Sequence, residues 1–278
     1  MKPGALLAAL AALLLAATVA QAQTLTLTDR DGSRTLGGKD LLTHPAAQTI
    51  TIADPVYRQS MRYRAVPTAV LLKALKVGID DYVQAQAIDK FSVAIPARLL
   101  IAVPPADVEA YVAVEDPASR WPPLPVKAGG KSDGTSAGPF YVVWQQKVRG
   151  QVSSEYWAYK LASLTVTDSP MKRWPGLAVD ESLPAADPIR RGLDRFVAVC
   201  MACHRFNGEG EGEQGPDLAR PMNPVEYFQP AALKKYIRNP ASVRAWGEQK
   251  MPGFDPESLP DADIDAILAW LGHKAARK

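Results

Sequence analysis

The sequence predicts two domains of different class, an α+β domain that is mostly β followed by an all-α domain. Three observations carry this. The chain has 278 residues, more than one hydrophobic core usually organises. Its apolar residues alternate with a period near two up to about residue 167, and recur at helical spacing after Pro188. Between these textures, residues 170–187 carry Pro170, Pro175, Pro184 and Pro188 close by, the composition of an interdomain linker. The expected division is residues 1–22, 23–169, 170–187 and 188–278.

Residues 1–22 have the pattern of a secretory signal peptide. Lys2 supplies a positive n-region, residues 5–20 are an almost unbroken run of Ala and Leu, and Ala20-Gln21-Ala22 places small residues at a cleavage site. Cleavage is expected after Ala22, leaving Gln23 first. The apolar run is short for a membrane-spanning helix, and no later stretch is longer. The mature chain is therefore expected to be periplasmic, without an integral membrane segment.

In residues 23–169, Leu25 and Leu27 alternate with threonines, and Ile50 and Ile52 repeat that pattern. Residues 91–95, 111–114, 140–144 and 159–166 are further short β-rich runs. One helix is expected here, opened by Pro67 and ended near Gly78, with Val70, Leu71, Leu72 and Leu75 apolar. Residues 127–138, rich in Gly and Ser, read as a loop. After Pro188, helices are expected over residues 189–200, 232–237 and 261–271. Asp261, Asp263 and Asp265 crowd the start of the last, where negative charge suits the helix dipole.

A formal net charge of +3, without a Lys/Arg run, gives no footprint for nucleic acid. Cysteine is more informative. The only two, Cys200 and Cys203, stand in Cys200-Met201-Ala202-Cys203-His204, and the other histidines are His44 and His273. A disulfide framework is thereby excluded. The C-x-x-C-H run reads as a c-type haem attachment site: each thiol can add to one haem vinyl group, and His204 then falls under the iron as an axial ligand. A thioredoxin-type motif would follow a strand, whereas a helix precedes this one. A zinc site would need two further ligands.

From these residues on, residues 188–275 resemble class I cytochrome c. Gly192 and Phe196 are similar to that family's glycine and aromatic on the first helix, and Trp270 and Leu271 to its contact pair on the last. The resemblance implies that Pro216, in Gly215-Pro216-Asp217-Leu218, accepts a hydrogen bond from His204. It implies that Met251, in Lys250-Met251-Pro252-Gly253-Phe254, is the second axial ligand. Met222, in Arg220-Pro221-Met222-Asn223-Pro224, is the rival for that place. One covalent haem c with both axial positions filled points to electron transfer rather than chemistry at the iron. Tyr236, Arg238 and Trp246 are candidates for haem-propionate contacts. Glu209, Glu211 and Glu213 could guide a basic partner, although a solvated loop explains them better.

Residues 24–167 are similar to the molybdopterin-binding domain of the sulfite-oxidase type. The likeness rests on the stretch from Tyr63 to Leu72, on Phe91 to Pro96 and on Gly138 to Val143. That family holds molybdenum through a cysteine thiolate, and none remains after Cys200 and Cys203 are assigned, so molybdopterin is not expected. The resulting expectation is a single-haem periplasmic cytochrome serving redox partner proteins, with an accessory domain for partner or ligand binding. The alternative is a haem-containing oxidoreductase of the sulfite-oxidase type, or its cytochrome subunit.

Overall fold

The structure is a computed structural model that describes residues 23–103, 106–125, 134–244 and 251–277. The expected signal peptide, most of the 127–138 loop and Trp246 lie outside the described residues.

The first half is built from β1 (Thr24–Thr28), β2 (Ser33–Gly37), α1 (Gly38–Leu42), β3 (Gln48–Asp54), β4 (Gln59–Pro67), α2 (Thr68–Leu72), β5 (Tyr82–Ala87), β6 (Ser92–Pro96), α3 (Ala97–Leu100), β7 (Val108–Val114), β8 (Phe140–Gln146) and β9 (Leu161–Thr167). One sheet has the order β2-β1-β9-β5-β6, with β1 and β9 parallel and its other pairs antiparallel. The other is the antiparallel sheet β3-β4-β7-β8. Alternation sends Leu25, Leu27, Ile50, Ile52, Met61 and Tyr63 inward. β6 and the centres of β7 and β8 are buried on both faces, which is why they read as continuous apolar runs.

The helix expected from Pro67 to Gly78 is only five residues long, and Pro67 is its cap. Thr68 anchors it from within, its hydroxyl donating to Leu100 O (2.5 Å) and Ala110 O (3.1 Å). Further on, the Asp29 carboxylate takes the Lys76 N–H (2.8 Å) and draws the backbone out of the helical ladder.

The second half contains α4 (Pro170–Arg173), a 3-10 turn (Pro175–Leu177), α5 (Pro188–Arg195), a π-turn (Phe196–Cys200), α6 (Pro224–Tyr227), α7 (Pro230–Arg238) and α8 (Asp261–Ala275). The segment expected as a linker is packed. Leu177 is fully buried in the helical core, Met171 and Trp174 lie against that core, and Lys274 on α8 donates to Gly176 O (2.7 Å). α5 crosses α8 so closely that a Cβ on Gly192 would lie 2.0 Å from Ala266 O. Beside the crossing, Phe196 stacks on Trp270 at 4.5 Å. Asp263, buried on α8, pairs with Arg191 (2.5 Å) and Arg195 (3.0 Å) of α5.

The halves share a surface. Ala202 is buried in the β core and Ala94 in the helical core. Glu211 of the helical half accepts from Arg173 (2.5 Å) and from Ser92 on β6 (3.3 Å). No helix among the described residues is long and apolar enough to cross a membrane.

Candidate haem site

The site begins with the start of α5. The Asp187 carboxylate caps the Ile189 N–H (2.8 Å) and Pro188 occupies the first turn, so the helix starts at a fixed residue. Twelve residues on, its register widens. Met201 N–H reaches back five residues to Phe196 O (2.9 Å), the bond of a π-turn. The chain then tightens, with Cys203 N–H (3.1 Å) and His204 N–H (2.9 Å) both donating to Cys200 O. The two cysteines and the histidine are thereby held on a single turn. Neither cysteine is in a disulfide.

The loop after the motif folds back over it. Gly215 N–H donates to Cys203 O (2.8 Å) and Leu218 N–H to Arg205 O (2.8 Å). Two glycines permit this approach. A Cβ on Gly212 would lie 2.2 Å from the Cys203 carbonyl carbon, and one on Gly215 would lie 2.4 Å from His204 Cε1. The imidazole therefore rests against bare backbone. Its Nδ1 is 2.7 Å from Pro216 O. With a proton on Nδ1 the ring donates to that carbonyl, and Nε2 is left as the nitrogen with a lone pair. Asp217 braces the loop by accepting from Asn207 N–H (2.8 Å), Gly208 N–H (2.6 Å) and Ala219 N–H (2.8 Å). Burial works to raise its pKa, and these backbone bonds together outweigh it and hold it below the ordinary carboxylate value.

Burial sets the electrostatics of the motif. It pushes the Cys200 thiol up to about 12, with the Glu155 charge acting in the same direction. It also lowers the pKa of His204, against the raising influence of the Pro216 carbonyl. Both shifts favour the neutral forms, and a neutral imidazole is the form that can coordinate a metal.

The methionines differ in setting. Met251 is partly buried against the helical core that Cys200 also borders, whereas Met222 is 47% exposed. Met201 is buried beneath the motif and Met61 belongs to the β core. Residues 251–254 run along the end of α7: a Cβ on Gly253 would lie 2.7 Å from Arg238 O.

Arg238 is committed to this segment rather than aimed at a propionate. Its guanidinium donates to Phe254 O (2.6 Å), Leu259 O (2.7 Å) and the Asp261 carboxylate. Five rigid donors suit it to gathering a loop. Tyr236 lies beside Phe228 with ring centres 5.6 Å apart. The acidic loop is more structural than its composition suggests. Glu211 is buried against Arg173, Glu213 pairs with Arg205, and the Glu209 carboxylate lies under Gly176. His273 is half-buried, and His44 accepts from Ala46 N–H (3.1 Å) in a turn. Nothing local in the sequence marks Gly212 as the crossing point over the motif, or Arg238 as the holder of the Met251 segment.

The donor set fits haem. Two thiols stand on one turn, an imidazole is fixed through Nδ1 with Nε2 left over, and a thioether lies on the same apolar core. Residues 189–274 match the model of the cytochrome c family. The match supports a cytochrome c domain at the C-terminus, and with it a haem electron-transfer protein. The β half lies outside the matched residues, and no curated protein matches the chain.

Proposed function

We propose that the chain is a periplasmic single-haem c-type cytochrome acting in electron transfer, with the β half as an accessory domain for partner or ligand binding. The observation that carries this reading is the His204 imidazole, held close against Gly215 with Nδ1 2.7 Å from Pro216 O. A ring fixed in this way has one nitrogen to offer, in one direction.

Cys200 and Cys203 would hold the haem covalently, and His204 and Met251 would supply its axial ligands. When bound, haem c supplies reversible one-electron exchange between ferric and ferrous iron. The chain's own contribution is positional. Pro216 orients the imidazole and raises its basicity. Arg238 gathers residues 254–261 and so keeps the Met251 segment close to α7. The apolar core around Phe196, Trp270 and Leu271 excludes water from this side of the motif. Two filled axial positions leave no place for a substrate, which is why electron transfer, through partner proteins, is the reading adopted.

The test is expression of the full chain in a haem-attaching host, followed by elemental analysis and a haem stain under denaturing conditions. One iron per chain, no molybdenum and haem retained through denaturation are expected. Cys200→Ala with Cys203→Ala should abolish the retained haem. Met251→Ala should lower the potential and let carbon monoxide bind the reduced protein, while Met222→Ala should do neither. Covalent haem surviving the double cysteine change would overturn the attachment site. Reversed behaviour of the two methionines would move the axial ligand to Met222.

A further inference from the structure

The β domain reaches the haem-attachment helix at a specific place. Its 3-10 turn, Ser154–Tyr156, packs against the π-turn Phe196–Cys200. A π-turn shifts the helical hydrogen-bond register by one residue and releases a carbonyl from the ladder. Here Met201 N–H bonds to Phe196 O, and the Ser153 hydroxyl, from the β domain, donates to Ala198 O at 2.6 Å. The same hydroxyl accepts the Glu155 N–H at 3.3 Å, so Ser153 caps the turn that carries Glu155. The Ser154 hydroxyl donates to the Glu155 carboxylate (3.3 Å).

This junction is tied at several further points. Ala202, inside the C-x-x-C-H motif, is buried in the β core. Ser92, Glu211 and Arg173 tie β6 to the loop beyond the motif and to α4. Arg149 of the β domain pairs with Glu257, in the segment ahead of α8, at 2.7 Å. Glu155 is half-buried in the middle of the 3-10 turn that packs against the π-turn ending at Cys200.

We propose that the β domain sets the redox potential of the attached haem through the Glu155 carboxylate, and that Ser153 is the residue that positions it. The inference rests on the haem reading above. A fixed negative charge beside the attachment turn stabilises ferric over ferrous iron and so lowers the potential. In a partly buried interface that interaction is screened less than at the surface. Removing the carboxylate takes one negative charge from the turn whatever cation it is paired with, so the sign of the effect is fixed.

The experiment is a spectroelectrochemical titration of the full haem-loaded chain and of E155Q, E155K, E155D, S153A and S153T. E155Q is expected to shift the ferric–ferrous equilibrium about fivefold toward ferrous, about 40 mV at 59 mV per tenfold. E155K should shift it further in the same direction, and E155D, which keeps the charge, should stay close to wild type. S153A should move the potential the same way by a smaller amount, and S153T should restore it. This graded dependence on charge is something a purely structural contact would not produce. If E155Q does not fold, as read by far-ultraviolet circular dichroism, E155K and the Ser153 pair carry the test. A haem-loaded E155Q, or in its place S153A and E155K, with the equilibrium unmoved would overturn the inference. A wild-type chain without covalent haem would overturn the haem reading instead, before any variant is compared.

Discussion

Asp54 in the β half and Asp263 in the helical half are buried to nearly the same extent, 2% and 3% exposed, and are satisfied in opposite ways. Asp54, at the end of β3, is surrounded by neutral donors. It accepts from Val56 N–H and Tyr57 N–H (both 2.8 Å), from the Tyr63 hydroxyl (2.7 Å) and, longer, from Tyr141 (3.4 Å). Asp263 is met by two guanidinium groups, those of Arg191 and Arg195, on a different helix. The first carboxylate braces a turn within a sheet core that is already complete. The second fixes one helix against another, and the helix it holds leads into Cys200, Cys203 and His204. At Asp263, buried polar chemistry serves to place the site; at Asp54 it serves the fold of the β half.

The comparison can be broken hardest at the helix crossing. Gly192→Ala puts a methyl against the Ala266 carbonyl with no room for it, and backbone cannot yield as a side-chain end can. A loss of about 3 kcal/mol is expected, seen as a lower urea midpoint. The haem-domain signals should be lost first, because α5 carries the motif. Asp263→Asn comes next, at about 2 kcal/mol, since it leaves two cations facing a neutral amide. Both arginines are about half exposed, which keeps this below the cost of breaking a fully buried pair. A loss for Asp263→Asn no larger than for Asp54→Asn, each measured by urea denaturation at neutral pH, would remove the distinction between clamp and brace.

The helical site was legible because its chemistry is local in sequence. Cys200, Cys203 and His204 are adjacent, and Gly215-Pro216 follows closely enough for one loop to return over the ring. Phe196 and Trp270 were legible through a family likeness, as was the tight approach at Gly192. What escaped depends on distant partners. β2 has Leu36 as its one large apolar residue and is held by pairing along β1. β5 alternates through Val83, Ala85 and Ala87, side chains too small to mark a period. The segment 170–187 looked like a linker because of its prolines. Met171, Trp174 and Leu177, three residues apart, are the signal that it packs, and that spacing suits the short turns it forms. Ser153 and Glu155 could not be recognised, because their role exists only once the β domain is seated on the π-turn.

The smallest expected effect sharpens the comparison through pH. Burial, against four hydrogen bonds that lower it, keeps the Asp54 pKa above its ordinary value of 3.8. Between 3.8 and that raised value the folded chain holds more protons than the unfolded one. Stability therefore falls as pH rises through this window, and the full cost of the buried charge is present above it. Asp54→Asn carries no proton to lose. Its stability relative to wild type should climb as pH rises from about 4 and level off once pH has passed the raised value, on top of any constant offset from the amide. Urea midpoints of both proteins across that range measure it. Curves that stay parallel would mean that the neutral donors around Asp54 compensate its charge as fully as two arginines compensate Asp263, and the two halves would then differ in the kind of partner but not in the energetics of burying a carboxylate.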